Sequence, residues 1–148
     1  MSLINHTGPH WRVDLPGDWT RREDRDGVPY FESAHDHAGL YIAAVNIHSI
    51  DRAVEDVLQE FVDSTAAGQD TIPGYAWVHQ THRLGDGDWL LESTEASQGH
   101  RILTRFIVVL PLVLYASFHD YDFIDVATSN ARLGPSLQAV WLTDLGVS

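Results

Sequence analysis

Between His100 and His119 the chain carries its most apolar and β-prone run, and one proline divides it. The first part reads Arg101-Ile102-Leu103-Thr104-Arg105-Phe106-Ile107-Val108-Val109-Leu110, and after Pro111 comes Leu112-Val113-Leu114-Tyr115-Ala116-Ser117-Phe118. Aliphatic, β-branched and aromatic residues at this density favour strands. A proline cannot donate to a sheet ladder, so it belongs in the connection. Two central antiparallel strands joined by a tight turn are expected, and the remaining segments are read around them.

Trp11 to Leu15 alternates apolar and polar residues, which fits a strand with one buried face. Pro16-Gly17-Asp18 ends it. Residues 1–8 are expected as a loose tail and 9–148 as one domain. The charged stretch Thr20 to Gly27 predicts a solvated loop. Tyr30 to Ser33 and Leu40 to Ile47 read as strands on either side of a turn. Next, Ile50, Ala53, Val54, Val57, Leu58, Phe61, Val62 and Thr65 recur at steps of three and four, the mark of an amphipathic helix. Asp51 is placed to cap its start and Gly68 to stop it in a left-handed conformation.

Strands over Tyr75 to Arg83 and Trp89 to Ala96 precede the central pair, with Gly85-Asp86-Gly87 and Ser97-Gln98-Gly99 as hairpin turns. From Phe123 the period becomes helical, and Gly134-Pro135 predicts two helices or one sharp kink. The order βββ-α-ββββ-α, with hairpin-length links, predicts an α+β fold. Its core is a twisted antiparallel sheet of about six to seven strands packed by helices.

Composition removes several chemistries. The 148 residues can bury roughly 70% of their unfolded surface without staples. The absence of Cys excludes thiol catalysis, Cys-bound zinc and disulfides. All nine basic side chains are Arg, so lysine Schiff bases and a P-loop lysine are excluded too. A formal net charge of -12 repels nucleic acid and anionic membranes and favours a protein partner with a basic surface. No basic-then-apolar leader is visible, and the longest apolar run, Phe106 to Ala116, is too short for a bilayer. A cytoplasmic protein with no membrane contact is expected.

The segment Trp11 to Trp19, centred on Leu15-Pro16-Gly17-Asp18-Trp19, resembles the opening motif of the PsbP-like (Mog-like) family. That family includes PsbP, Ran-binding Mog proteins and DcrB-type bacterial relatives. Its members end a strand in Leu-Pro-x-x-Trp and continue into a sheet with flanking helices, in much the order read above. The resemblance implies a compact sheet packed by helices and roles as binding or assembly factors and chaperones, mostly without catalysis. The motif is structural in the family, so it transfers no functional residue.

Among the His residues, His35 and His37 flank Asp36, but two ligands in a polar turn do not make a site, so no metal and no cofactor are expected. Two-residue hairpin loops would pair Arg83 with Leu90, Thr81 with Glu92, His79 with Thr94, Glu92 with Arg105, and Leu91 with Phe106. One sheet face then holds Val78, Trp89, Leu91, Phe106 and Val108 as core. The other gathers His79, Thr81, Glu92 and Arg105, ringed by Trp77, Leu90, Leu103 and Leu114. On that register Trp77, His79, Glu92 and Arg105 are the candidate ligand- or partner-binding residues. The plainer reading is a Glu92–Arg105 ion pair on a solvated face. A loop one residue longer exchanges the two faces.

Gly-x-Ser-x-Gly, His-Glu-x-x-His and Gly-x-Gly-x-x-Gly are all missing. The balance favours a non-catalytic binding or assembly module with an acidic surface. The alternative is a small-molecule binder or enzyme of helix-grip type, with its site on the sheet face.

Overall fold

A computed structural model of the chain describes residues 3–35 and 37–143. Five strands come first: β1 (Leu3–Gly8), β2 (Trp11–Pro16), β3 (Trp19–Glu23), β4 (Pro29–Ser33) and β5 (Ala38–Asn46). Helix α1 (Val54–Gln69) follows, then β6 (Val78–Gly85), β7 (Asp88–Glu95), β8 (His100–Val109) and β9 (Leu112–Asp120). Helix α2 (Val126–Gln138) and a short β10 (Val140–Leu142) close the described chain. All strand pairs are antiparallel. They form a seven-stranded sheet, ordered β3-β4-β5-β9-β8-β7-β6, and a three-stranded sheet, ordered β1-β2-β10. The fold is α+β.

The apolar run starting at Arg101 becomes β8 and β9, the two strands at the middle of the large sheet. Both faces of the large sheet are covered. On one, Val57, Leu58 and Val62 of α1 pack on Trp89, Leu91, Phe106, Val108 and Val113. On the other, Trp11, Val13 and Leu15 of β2, with Leu133 of α2, pack on Phe31, Leu40, Leu103, Leu114 and Phe118. Burial on both sides is why β8 reads as a near-continuous apolar run rather than an alternating one. Leu15-Pro16-Gly17-Asp18-Trp19 is the corner where the chain leaves the small sheet at Pro16 and joins the large one at Trp19.

Several expectations are corrected. The tail at 1–8 is, from Leu3 onward, strand β1 paired along β2, while Met1 and Ser2 lie outside the described residues. The loop expected from Thr20 begins as edge strand β3, whose Arg21 and Arg22 are compatible with a strand because an edge needs only a pairable backbone. The helix starts at Val54 with Ala53 as its N-cap; Asp51 does not cap it, and Ile50 is 71% exposed. Gly68 lies inside α1 and has no positive φ. Helix α2 is continuous through Pro135: Gly134 has no Cβ to meet the proline ring, so the residue before proline keeps its helical shape.

One irregularity repositions the chemistry. The β6–β7 hairpin does turn on Asp86-Gly87, pairing Gly85 with Asp88 and holding Gly87 at φ 68°. A bulge at Leu84 then shifts every later pair by one, so Arg83 faces Trp89, Thr81 faces Leu91 and His79 faces Ser93. The β7–β8 link is longer than expected, with a 3-10 turn at Ala96–Gln98, so Glu92 faces Leu103 and Leu90 faces Arg105.

Candidate functional site

A one-residue shift exchanges sheet faces, whereas a two-residue shift keeps the face and changes the partner. Glu92 and Arg105 therefore share the α2 face, but they are not bonded to each other. His79 and Thr81 lie on the α1 face. The expected juxtaposition of His79 with Glu92 and Arg105 is thus corrected. His82 takes the place expected for Thr81, with Nε2 at 3.0 Å from Glu92 Oε1. Val78, expected in the core, is 70% exposed.

The resulting site is a groove of about 710 Å³ between α2 and the β6–β7–β8 end of the sheet. Leu90 and Leu103 are apolar floor, Val126 and Leu137 the α2 wall, and His82 and Leu84 the β6 wall. Glu92 lies at the centre. Arg101 gives it both Nε at 3.0 Å and Nη2 at 2.7 Å, and uses Nη1 for Ser129 Oγ and Asn130 Oδ1, each at 2.8 Å. The Arg101 side chain is only 3% exposed. A guanidinium buried to that depth requires partners, and these four bonds supply them. Burial raises the Glu92 pKa, but the hydrogen bonds and charges of Arg101 and His82 outweigh it and leave the carboxyl below its ordinary value. Glu92 is thus a fixed carboxylate at neutral pH.

Arg105 bonds Asp88 through Nε at 3.0 Å and Nη2 at 2.8 Å, and its Nη1 reaches Leu137 O at 2.9 Å. That carbonyl belongs to the last turn of α2, where helix oxygens lack internal donors. Arg132 of α2 in turn donates to both oxygens of the fully buried Asp120 at 2.7 Å. Three arginines therefore fasten α2 to the sheet; of these Arg101 lines the groove, where His82, Arg83, Glu92 and Asn130 are further polar side chains.

The α1 face holds the other two candidates. His79 Nδ1 lies 2.9 Å from Ser93 Oγ, and its Nε2 lies 2.8 Å from Asp70 Oδ1. This is a Ser–His–Asp succession, but Ser93 is fully buried and its Oγ also meets Gln69 Oε1 at 2.6 Å. No substrate reaches that hydroxyl; the chain ties the end of α1 to the sheet. Trp77 stacks on Tyr75, with ring centroids 5.2 Å apart, and meets His100 at 5.1 Å. Asp36 lies outside the described residues, and among those described no three His, Asp or Glu side chains converge as a metal site.

Sequence reasoning missed His82, Arg101, Ser129 and Asn130. The available signal was Arg101 itself: it shares a face with Arg105, four residues on, at the head of an apolar strand that is buried on both sides.

With two covered faces, a helix on each side and a corner at Leu15–Trp19, the chain has a PsbP-like fold. It superposes on the solution structure of cyanobacterial PsbP (CyanoP) from Synechocystis sp. PCC 6803 with a TM-score of 0.65, covering 95% of this chain and 92% of that one. Sequence identity between the two is 12%, so the likeness is one of fold. No protein-family model and no curated protein matches the chain in sequence.

Proposed function

We propose that the protein is a non-catalytic binding or assembly module whose α2 groove takes an extended segment of a protein partner with basic character. One observation carries the reading: Glu92, the acid that lines the groove, already has its own arginine in Arg101. The recess offers shape and hydrogen bonding rather than a reactive group. Beside it, β6 is an outer strand of the large sheet whose second edge pairs with no strand among the described residues, the geometry used for strand addition. Val78 and Leu84, 70% and 51% exposed, add apolar surface there.

The acidic surplus supplies the sign of the partner. The chain as a whole carries a net charge of -12, although Glu55 and Glu60 of α1 are paired with Arg83 and Arg52 and α1 covers the sheet face opposite the groove. Such a field speeds the approach of a cationic segment and repels nucleic acid. Kinship with the Mog and DcrB branches, which the Leu-Pro-x-x-Trp corner supports, accords with an assembly role.

Calorimetric titration with extended peptides tests this. Peptides alternating Val with Arg, Glu or Thr are compared at low and high salt, against the native chain and Val126→Trp, which crowds the α2 wall. Preference for the Arg series, weakened by salt and lost in a folded Val126→Trp, supports the proposal. Preference for the Glu series, or binding indifferent to Val126→Trp, overturns it.

A further inference from the structure

A second recess lies on the opposite face of the sheet. It is a cleft of about 360 Å³ between the last turn of α1 and strands β5, β9 and β8, lined chiefly by Tyr41, Gly68, Ile72, Ile102, Ser117 and His119. Its size falls within the range of small-molecule sites.

The hydrogen-bond chain behind the cleft assigns the proton on His119. His100 Nε2 and His119 Nδ1 are 3.0 Å apart, so one nitrogen donates and the other accepts. His100 Nδ1 is buried with no partner among the described residues. A stranded N–H in that position is costlier than a bare lone pair, so His100 carries its proton on Nε2 and donates. His119 then accepts at Nδ1 and carries its own proton on Nε2, the ring's remaining polar atom. Burial, followed by the neighbouring His100, pushes the His119 pKa down to about 4, so the ring is neutral at physiological pH.

The ring is also held in position. Tyr121 stacks on it at 5.3 Å and 20°, and Tyr41 meets it edge-on at 5.6 Å and 69°. Tyr41 and Ile72, each 39% exposed, flank the opening.

Gly68 is the independent observation. It sits within α1 at a non-positive φ, so the backbone does not require glycine there. A glycine inside a helix costs up to about 1 kcal/mol relative to alanine. A Cβ at this position would meet nothing within 4 Å. The missing side chain neither relieves a clash nor serves a turn; its effect is to widen the cleft.

We propose that this cleft binds a small, neutral, flat aromatic ligand bearing a carbonyl acceptor, with its oxygen on His119 Nε2–H and its ring between Tyr41 and Ile72. The class follows from the lining. Among the described residues no arginine lines the cleft, so a carboxylate has no counter-charge, and the chain's negative field opposes it. That field draws a cation, but at His119 Nε2–H a ligand cation meets a donor where it needs an acceptor, and no carboxylate lines the cleft among the described residues to pair with it. The site is separate from the α2 groove, and either proposal can fail alone.

Nitrogen-15 NMR titration of the full chain tests it, with benzamide and acetophenone as neutral carbonyl probes. Toluene, benzoate and benzylammonium serve as controls. The expected result is saturable shifts of the His119 imidazole and of the Tyr41, Gly68 and Ile102 amides with the carbonyl probes, and weaker binding of the controls. Gly68→Leu, which fills the cleft, should weaken the carbonyl probes by about tenfold or more, equivalent to 1.4 kcal/mol. Gly68→Ala should largely retain them. His119→Phe should bring benzamide down to the level of toluene, which supplies a second readout should Gly68→Leu misfold. Absence of saturable shifts, charged probes binding as well as benzamide, or a folded Gly68→Leu with native affinity would each overturn the proposal.

Discussion

Arg101 places two N–H groups on a single oxygen of Glu92, Oε2, and leaves Oε1 to His82. Glu92 thereby joins an outer strand, a central strand and, through Ser129 and Asn130 on the same guanidinium, a helix. The arrangement divides labour within the protein. Apolar contact supplies the bulk of the attachment on each face, while the arginines set where α2 lies and hence the width of the groove.

Removing the Arg101 guanidinium leaves Ser129 and Asn130 without their donor and the half-buried Glu92 with His82 alone. Arg101→Met is therefore expected to destabilise the protein by about 1–3 kcal/mol. Adding Glu92→Leu should recover much of that loss, since a matched apolar pair leaves no lone charge. Urea unfolding of the single and double variants measures this; equal stabilities for the two would contradict the network.

Arg105→Ala deprives Asp88 of its partner and Leu137 O of its donor. The expected cost is about 1–3 kcal/mol. Amide shifts should concentrate at the end of α2 and the start of β7. A melting temperature within error of the native value would show that Arg105 does not anchor the helix.

Ser93→Ala removes the hydroxyl shared by Gln69 and His79 beneath α1. With two polar groups left short of a partner in a buried place, a loss of about 1–3 kcal/mol is expected. Hydrogen exchange should accelerate in the last turns of α1 and leave α2 unchanged. A uniform change across both helices would argue against a local tie.

His119 makes stability depend on pH. Its folded pKa of about 4 lies below the ordinary histidine value of 6.5, so the unfolded chain takes up a proton that the folded one refuses. Stability should fall as pH drops from about 6.5 to about 4 by a few kcal/mol at most, and this contribution should level off below the folded value. His100, also lowered by burial, acts in the same direction. In His119→Phe the slope across this window should be shallower, which unfolding at a series of pH values will show. An NMR titration placing His119 near 6.5 would refute the argument.

The elements themselves were legible because each rests on short-range chemistry. The three- and four-residue spacing from Val54 to Val62 could only be a helix with one oily side. Asp86-Gly87 and Leu110-Pro111 could only be turns between runs like those around them. Trp89, Leu91, Phe106 and Val108 were recognisable as one face and do pack together under α1. Less legible were β1, β3 and β10, whose pairing is edge-like and whose side chains carry weak signals. The far side of the sheet also read as solvated, because nothing local announces that β2 and α2 return to cover it.

The amino-acid sequence by itself determined helix α1, the strands from β6 to β9, the antiparallel class and the exclusion of thiol and lysine chemistry, since these depend on residue type and near neighbours. Tertiary structure alone decided which side chains meet. A strand repeats every two residues, so one bulge at Leu84 exchanged the faces of His79 and His82, taking His79 to the α1 side and His82 to the α2 side. Four residues in the next link moved Glu92 from Arg105 to Arg101.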